Sequence, residues 1–396
     1  MNVFIIPTWY PSKKQKLAGT FTKEQVLALA EADEYSNFIV SLWGQEDHGY
    51  LDRNLLQNLK KIIWYIFAPK NKVNVIKNYI EIFNPLLNWT PRLPFGGISR
   101  TIIINKINLE IALKKLKKID LIHAHVSYPG GYIAYKLSQK YNIPYIITEH
   151  MGPFPFKNLT INGKPINEIY TAINNANCVI SVSPFLSKEM NSFNLAQSVI
   201  IPNLVDENLF YPNNNIKNSK FTFLTVSKVS YDKGIDLLLK SISMWKPDPK
   251  KFEFIIVGTG VEADNFKKLA IDLNINDIVK WVGAIDRIDL PLFYRQADVF
   301  VLFSRFESFG IVYAEALATG IPVIATPCGG PEFIINNNNG IITKSFDINE
   351  LSNALRTMYK THLSYKKEDI RNHFLNNFSK KIVVKSILEI YKKHIK

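Results

Sequence analysis

The stretch that decides the fold is VFVLFSRFESFGIVYAEA, residues 299–316. An apolar run typical of a buried strand, Val299–Leu302, is followed by a polar turn and then by a helical pattern that opens near Gly310. In doubly wound sheets, ligands bind beyond the carboxyl ends of the strands, and a helix N-terminus offers free N–H groups to a diphosphate. We therefore predict an anion-binding turn here, at the end of a parallel strand.

Two glutamates bracket this turn. Glu307 lies just before the predicted helix and Glu315 lies inside it, so a rise of 1.5 Å per residue separates them by roughly 12 Å. That distance is about the span from ribose to sugar across a diphosphate. One carboxylate would then accept hydrogen bonds from sugar hydroxyls and the other from ribose hydroxyls. A surface helix with two solvated glutamates has the same spacing.

The same alternation of strand and helix extends in both directions along the chain. Short β-branched runs such as Val3–Pro7 and Phe221–Ser227 alternate with helical patterns in each half, which predicts an α/β fold with parallel sheets covered on both faces. We predict an N-terminal domain at 1–203, a linker at 204–219, a C-terminal domain at 220–378 and a final helix at 379–396. One open arrangement is that this helix packs back on the N-terminal domain. Residues 58–106, which are aromatic, basic and Pro-interrupted, look like an insertion beside the first sheet.

The composition of the chain is typical of a folded globular protein. The 396 residues are 47% hydrophobic and 21% charged, as in folded domains, and contain only two cysteines. The N-terminal apolar run reads as a first strand rather than a signal peptide, so a cytoplasmic location is expected. The net charge is +14, and residues 1–203 carry +9 of it (22 Lys and Arg against 13 Asp and Glu). Anionic partners and a plain compositional bias toward lysine remain equally open. No basic and aromatic array on one sheet face indicates nucleic-acid binding.

Taken in order, the motifs resemble those of glycosyltransferase family 4. The Glu307-x7-Glu315 region matches that family's signature. Other segments match in the same order along the chain, including the strand ends at His125 and at Glu149-His150, then Val226-Ser227-Lys228 with Lys233-Gly234, and Ile256-Val257-Gly258. The resemblance covers nearly the whole chain except about 45–110. It departs at Ser227-Lys228, where the family usually has Gly-Arg, and in a longer first loop that leaves Gly19 as the glycine able to approach a diphosphate.

The resemblance implies a fold, a reaction and a set of residues. The fold is GT-B, with two Rossmann-like domains facing a central cleft; the donor binds the C-terminal domain and the acceptor the N-terminal one. Catalytic roles fall to Glu307, His125, Lys228 and Lys233. Donor contacts fall to Gly19, Ser227, Gly258, Ser308, Phe309, Gly310, Ile311 and Glu315, and acceptor-side candidates are Glu149 and His150. We expect His123 to point to the opposite face of the strand from His125.

The predicted function is retaining transfer of a hexose-type sugar from a nucleotide-diphosphate donor, UDP-sugar or GDP-mannose, to a glycan or lipid-linked glycan in cell-surface polysaccharide synthesis. Retention by same-face attack needs no protein nucleophile. No Asp-x-Asp pair suits a metal, so we expect neither metal nor cofactor, with lysines and a helix dipole balancing the diphosphate. Alternatives are a sugar-nucleotide epimerase or phosphorylase on the same fold, and a catalytically silent binding subunit.

The lysines and aromatic residues of 58–106 also predict that the protein contacts the anionic inner face of the cell membrane. They would equally fit an inserted helical pair with a buried aromatic core and a solvated basic face.

Overall fold

The computed structural model describes residues 1–12, 15–44, 51, 54–89, 97–213 and 219–395. Residues 90–96 of the segment 58–106 and residues 214–218 of the predicted linker lie outside this part of the chain. The chain forms two compact units. The first contains residues 1–182 and 187–201 together with the chain from Val384 on, and the second contains 183–186 and 202–383.

An eight-stranded sheet forms the centre of the first unit, in the order β10-β9-β6-β5-β1-β2-β4-β3. All neighbours are parallel except the hairpin of β3 and β4. The strands are β1 (Asn2–Pro7), β2 (Asn37–Leu42), β3 (Lys72–Ile76), β4 (Tyr79–Phe83), β5 (Leu121–His125), β6 (Tyr145–Glu149), β9 (Cys178–Ser181) and β10 (Val199–Ile200), with a separate two-stranded pair of β7 (Thr160–Ile161) and β8 (Lys164–Pro165).

The segment 58–106 is not an insertion beside the sheet, and that prediction is wrong. It supplies β3 and β4, which extend the sheet beyond β2, and the first nine of the 19 residues of a helix that starts at Ile98. The two strands are joined by the tight turn Lys77-Asn78, with Lys77 at a φ of 55°. The sequence pattern hides this hairpin because its turn lacks the glycine that usually marks one.

A fully parallel six-stranded sheet forms the second unit, in the order β13-β12-β11-β14-β15-β16. Its central strands are buried on both faces, as parallel strands between two helical layers must be. Phe223 and Phe254 stack in its core with ring centroids 4.7 Å apart. The strands are β11 (Phe221–Val226), β12 (Phe252–Val257), β13 (Val279–Gly283), β14 (Val299–Leu302), β15 (Val323–Ala325) and β16 (Gly340–Ile342).

Helices cover the sheets. They are α1 (Thr20–Ala32), α2 (Leu55–Phe67), α3 (Ile98–Leu116), α4 (Tyr132–Tyr141), α5 (Asn167–Asn174), α6 (Pro184–Ser192), α7 (Ile235–Trp245), α8 (Ala263–Asp272), α9 (Leu290–Gln296), α10 (Ile311–Ala318), α11 (Pro331–Ile334), α12 (Ile348–Thr361), α13 (Lys367–Asn377) and α14 (Lys380–His394). Among the residues described, no helix has the length and apolar character needed to cross a membrane.

Candidate functional site

Glu307 lies at the carboxyl end of β14, where loops from two neighbouring strands hold it. Its backbone N–H donates to the Cys328 carbonyl at 2.9 Å, and its own carbonyl accepts from the Gly330 N–H at 2.7 Å. The side chain is largely buried, and its Oε1 accepts from Lys233 Nζ at 2.7 Å and from Ser304 Oγ at 2.8 Å. Its Oε2 accepts no hydrogen bond from the residues described, so one oxygen is left for a ligand.

The two predicted diphosphate lysines have different surroundings. Lys233 ends a short turn, Tyr231–Lys233, and its ammonium group is partly buried against Glu307. Lys228 follows β11, is exposed, and forms no ion pair with the described part of the chain. Lys228 therefore carries an unbalanced positive charge at a strand end, whereas the charge of Lys233 is already matched by a carboxylate.

Gly258 allows two backbone segments near this site to approach each other closely. Gly258 has a φ of 132°, and a Cβ there would lie 1.8 Å from the carbonyl oxygen of Ser227. The turns after β11 and β12 are therefore in direct contact, and only glycine permits it. The Ser227 hydroxyl is buried at this contact without a hydrogen-bond partner among the described residues.

Helix α10 begins at Ile311, four residues after Glu307. Gly310 takes a left-handed conformation (φ 85°) at its start, and the helix leaves its first N–H groups unpaired, as every helix does. The Phe309 ring is buried against Phe378, 5.9 Å between centroids, so only the backbone of Phe309 is available to a donor. The Ser308 carbonyl accepts from Ser183 Oγ at 2.5 Å, which fixes the turn before the helix. Ile311, the first residue of the helix, is partly exposed.

Glu315 is fully buried and already has two partners. The Arg287 guanidinium donates to Oε1, and the Tyr294 hydroxyl donates to Oε2 at 2.8 Å. Burial and the neighbouring Glu315 raise the pKa of Tyr294 well above its usual value, so it stays a donor. Sequence reasoning missed Arg287 and Tyr294, because contacts 28 and 21 residues away leave no spacing signal in the chain. A ribose hydroxyl bound by Glu315 would have to share its oxygens with these two residues.

Arg305, inside the stretch that opened the sequence analysis, is a second residue that sequence reasoning passed over. Its guanidinium forms a two-pronged contact with Asp236, 2.8 and 2.9 Å, and lies over the Tyr231 ring at 3.6 Å. This pairing raises the pKa of Arg305. The contact ties the end of β14 to the turn that carries Lys233. The sequence feature that could have indicated Arg305 is its place at a strand end, two residues before Glu307.

In the first unit, two histidines meet at the carboxyl ends of β5 and β6. His125 Nδ1 lies 3.0 Å from His150 Nε2, and the rings stack with centroids 5.3 Å apart. Burial lowers the pKa of His125 to about 3, so the ring is neutral at physiological pH. Its Nε2 is buried with no hydrogen-bond partner among the residues described. A neutral imidazole with an unused nitrogen is a candidate for contact with a hydroxyl group.

The expectation that His123 points away from His125 is wrong. Their rings lie 4.4 Å apart, because residues two positions apart on a strand share a face. His123 instead has structural partners, with the Tyr391 hydroxyl 2.7 Å from Nδ1 and Thr148 Oγ1 2.8 Å from Nε2. It thereby anchors the C-terminal helix to the first sheet.

Glu149 organises the loop after β6. Its buried carboxylate accepts three backbone N–H groups, those of Ser127, His150 and Met151, each at 2.9 Å. Burial raises its pKa, and these hydrogen bonds oppose the rise. With both oxygens occupied by backbone donors, Glu149 fits a role in positioning His150 better than the role of a base.

Gly19 starts helix α1 with a φ of 63°, and a Cβ there would lie 2.2 Å from the Trp9 carbonyl oxygen. The first loop thus folds tightly against the helix start. Phe21, on the first turn, packs against His150 with centroids 4.7 Å apart. Gly19 and the histidine pair therefore border the same edge of the first sheet. Among the described residues, no group of three or more His, Cys, Asp or Glu side chains is placed to hold a metal ion.

Comparisons with known proteins agree with this geometry. Residues 206–374 match the family described as Glycosyl transferases group 1, and residues 66–209 match Glycosyltransferase Family 4. An uncharacterized glycosyltransferase of Methanocaldococcus jannaschii is 28% identical over 76% of this chain and 81% of its own length. An uncharacterized 41.2 kDa protein from the cps region of Klebsiella pneumoniae is 30% identical over 72% and 82%. Alpha-monoglucosyldiacylglycerol synthase of Acholeplasma laidlawii is 26% identical over 66% and 71%.

Solved structures show the same fold. Sucrose-phosphate synthase from Thermosynechococcus elongatus superimposes with a TM-score of 0.74 at 20% identity, covering 99% of this chain and 98% of that one. The Anabaena protein HepE, solved in complex with UDP-glucose, superimposes with a TM-score of 0.69 at 18% identity, covering 99% and 100%.

Proposed function

This chain belongs to glycosyltransferase family 4 and has the GT-B fold, and from that premise we propose that it transfers a hexose from a UDP-sugar or GDP-mannose to a glycan or lipid-linked glycan with retention of configuration. That it is a glycosyltransferase acting on nucleotide sugars follows from the family. The specific donor, acceptor and stereochemistry are the proposal. The observation that carries it is the Glu307–Lys233–Ser304 cluster at the carboxyl end of β14.

On the donor side, each residue has a distinct task. The exposed Lys228 and the paired Lys233 contact the diphosphate, together with the first N–H groups of α10. Glu307 orients the sugar through its unoccupied Oε2. Glu315, held by Arg287 and Tyr294, binds the ribose by sharing its oxygens with them. UDP-glucose bound to the Anabaena relative supports a uridine nucleotide as the first donor to test.

The leaving diphosphate gains negative charge as its bond to the sugar breaks. Lysine ammonium groups and a helix N-terminus stabilise that charge without a metal ion. The acceptor hydroxyl attacks from the face that the diphosphate leaves, so no protein nucleophile is assigned. His125 contacts the reacting sugar through its unpartnered Nε2.

Helix α2 supports an acceptor located at a membrane. It buries none of its residues, and Leu55, Leu56 and Phe67 are 83%, 75% and 82% exposed. Leu59, Ile63 and Ile66 complete the outward face, with Lys60 on the same side. Large exposed apolar patches mark binding surfaces, and lysines beside one suit an anionic lipid layer. The described part of 58–106 does not form the inserted helical pair with a buried aromatic core that the sequence left open, because β3 and β4 separate α2 from α3 and α2 buries none of its aromatic residues.

The central test of the proposal is the variant Glu307→Ala. A thermal-shift screen against nucleotide sugars first identifies the donor, since a ligand at a hundred times its Kd raises stability by about 2.7 kcal/mol. We then expect Glu307→Ala to lose at least about a hundredfold in kcat, because a preorganised contact with the reacting sugar is removed.

The matched control is Glu368→Ala, an exposed glutamate on α13, which should keep the parent rate. Unfolding temperatures of all three proteins should agree within a few degrees. Transfer by Glu307→Ala at the parent rate would end the assignment. A screen with no shift for any donor, and no transfer, would favour the silent binding subunit.

A further inference from the structure

A groove of about 720 Å³ opens in the first unit at the carboxyl ends of β1, β2 and β4. Its lining includes Tyr10 from the loop after β1, Gly44 after β2 and Phe83 at the end of β4. Ligand pockets have volumes of about 300–1,000 Å³, and in open parallel sheets they lie at this edge. Strand β5, which ends in His125, pairs with β1, so the groove and the histidine pair share one edge of the sheet.

The described lining of the groove is positively charged. It contains Lys16, Lys23 and Lys72 against the single carboxylate of Glu81, a balance of 3 − 1 = +2. Lys23 and Lys72 form no ion pair with any residue of the described chain. Two unmatched positive charges suit a phosphate or diphosphate group.

The one negative charge is fixed at the floor. The Tyr79 hydroxyl donates to Glu81 Oε1, the Asn74 amide donates to Oε2 at 3.4 Å, and Tyr10 shares a hydrogen bond with Tyr79. Burial raises the pKa of Tyr10 and of Tyr79, so both tyrosines keep their protons and remain donors. Glu81 repels an anion from the floor, which leaves the lysines at the rim as its partners.

The remaining wall is apolar. Trp64 and Phe83 face each other edge to face with centroids 6.5 Å apart, and Leu42 also borders the groove. Trp64 belongs to α2, the helix that also carries the exposed leucines and Phe67 described above, and Phe67 lies one turn further along, three residues after Trp64. The groove and the exposed apolar face therefore share one helix, and a ligand with both a phosphate and an apolar chain fits this combination.

We propose that this groove binds the phosphate group of a lipid-linked acceptor, with Lys23 and Lys72 on the phosphate and the lipid chain directed along Trp64 toward the outer face of α2. The proposal rests on the glycosyltransferase function above and names the chemical class of its acceptor.

The test uses the full chain with two probes that share a head group, farnesyl diphosphate and inorganic diphosphate. Calorimetry should give tighter binding for farnesyl diphosphate. The double variant Lys23→Gln/Lys72→Gln should weaken that binding about tenfold, which corresponds to about 1.4 kcal/mol. Glu81→Gln should strengthen it, because the repulsive charge is removed while the amide oxygen can still accept from the Tyr79 hydroxyl. The matched control Lys164→Gln, an exposed lysine of the same unit outside the groove, should bind like the parent.

The donor site is intact in all four proteins, so any diphosphate bound there contributes equally to each. Unchanged affinity in the double lysine variant would overturn the proposal. Equal, lysine-dependent affinity for the two probes would overturn the lipid part and assign a soluble phosphorylated acceptor. The nucleotide-sugar thermal shift, measured on the same samples, tests the transferase function separately: its absence together with lysine-dependent binding would refute that function and leave the groove's anion site standing.

Discussion

The two lysines proposed to contact the leaving diphosphate have different surroundings. Lys233 is held 2.7 Å from Glu307, and Lys228 is exposed and unmatched within the described chain. We propose that a bound diphosphate contacts both ammonium groups, and that Glu307 turns toward the sugar as Lys233 moves to the phosphate. The two cations then share one task.

We expect Lys228→Gln and Lys233→Gln each to weaken donor binding about tenfold, and the double variant to weaken it clearly less than about a hundredfold, because groups acting as a unit are not additive. Titration calorimetry with the donor that the thermal-shift screen identifies measures all three variants. Lys268→Gln, an exposed lysine on α8, is the matched control and should behave like the parent. Fully additive losses would mean that one lysine does not contact the diphosphate.

The residues of the candidate site also show which contacts the sequence could not predict. The places of Glu307 and Glu315, after a strand end and inside the next helix, could be predicted because their spacing is local. Their partners were found only in part: Lys233 belonged to a recognised motif, whereas Arg287 carries no signal of its own. Contacts formed by bringing distant elements together depend on the packed fold, which spacing along the chain does not encode.

At the scale of elements, the strands buried on both faces were the easiest to predict. β14 and β15 lie where the apolar runs indicated, since a parallel strand between two helical layers is a continuous apolar run. The edge hairpin was missed because β3 is exposed along its whole length, so no buried alternation marks it. An edge strand pairs with only one neighbour, so an exposed one such as β3 does not need a regular pattern of apolar residues.

Helix α2 provides the prediction at this scale. We expect the chain to co-sediment with vesicles rich in anionic lipid at low salt, and Leu56→Ser/Leu59→Ser to reduce the bound fraction severalfold, because exposed apolar side chains insert and lysines add about 1 kcal/mol each at such a surface. High salt should weaken the binding by screening the lysines.

Ile161→Ser is the matched control, since Ile161 is an exposed apolar residue of the same unit outside α2. Light scattering of the parent alone separates membrane binding from self-association through the same face. If the parent stays in the supernatant with strongly anionic vesicles at low salt, the membrane proposal fails.

At the scale of the whole molecule, the two-sheet α/β architecture could be read from the alternation of apolar strands and helices. The sequence left the partner of the C-terminal helix open, with packing on the N-terminal domain as one possibility. In the structure, residues from Val384 onward belong to the first unit, and the Tyr391 hydroxyl is hydrogen-bonded to His123, 268 positions earlier. An amphipathic C-terminal helix has an apolar stripe that needs a partner, but the stripe does not say which sheet supplies it.

The charge balance of the donor site leads to the last prediction, activity without divalent metal. A diphosphate leaving group must be neutralised, and in the proposed donor site this task falls to Lys228, Lys233 and the start of α10. We expect transfer in excess EDTA to proceed at no less than about half the rate in magnesium, measured on extensively dialysed enzyme. The Lys228→Gln variant provides an internal contrast: with one cation removed, added magnesium should restore part of its lost rate by screening the diphosphate. A parent enzyme that is inactive in EDTA and recovers with magnesium or manganese would contradict the prediction, and would mean that the two lysines are insufficient to carry the leaving charge.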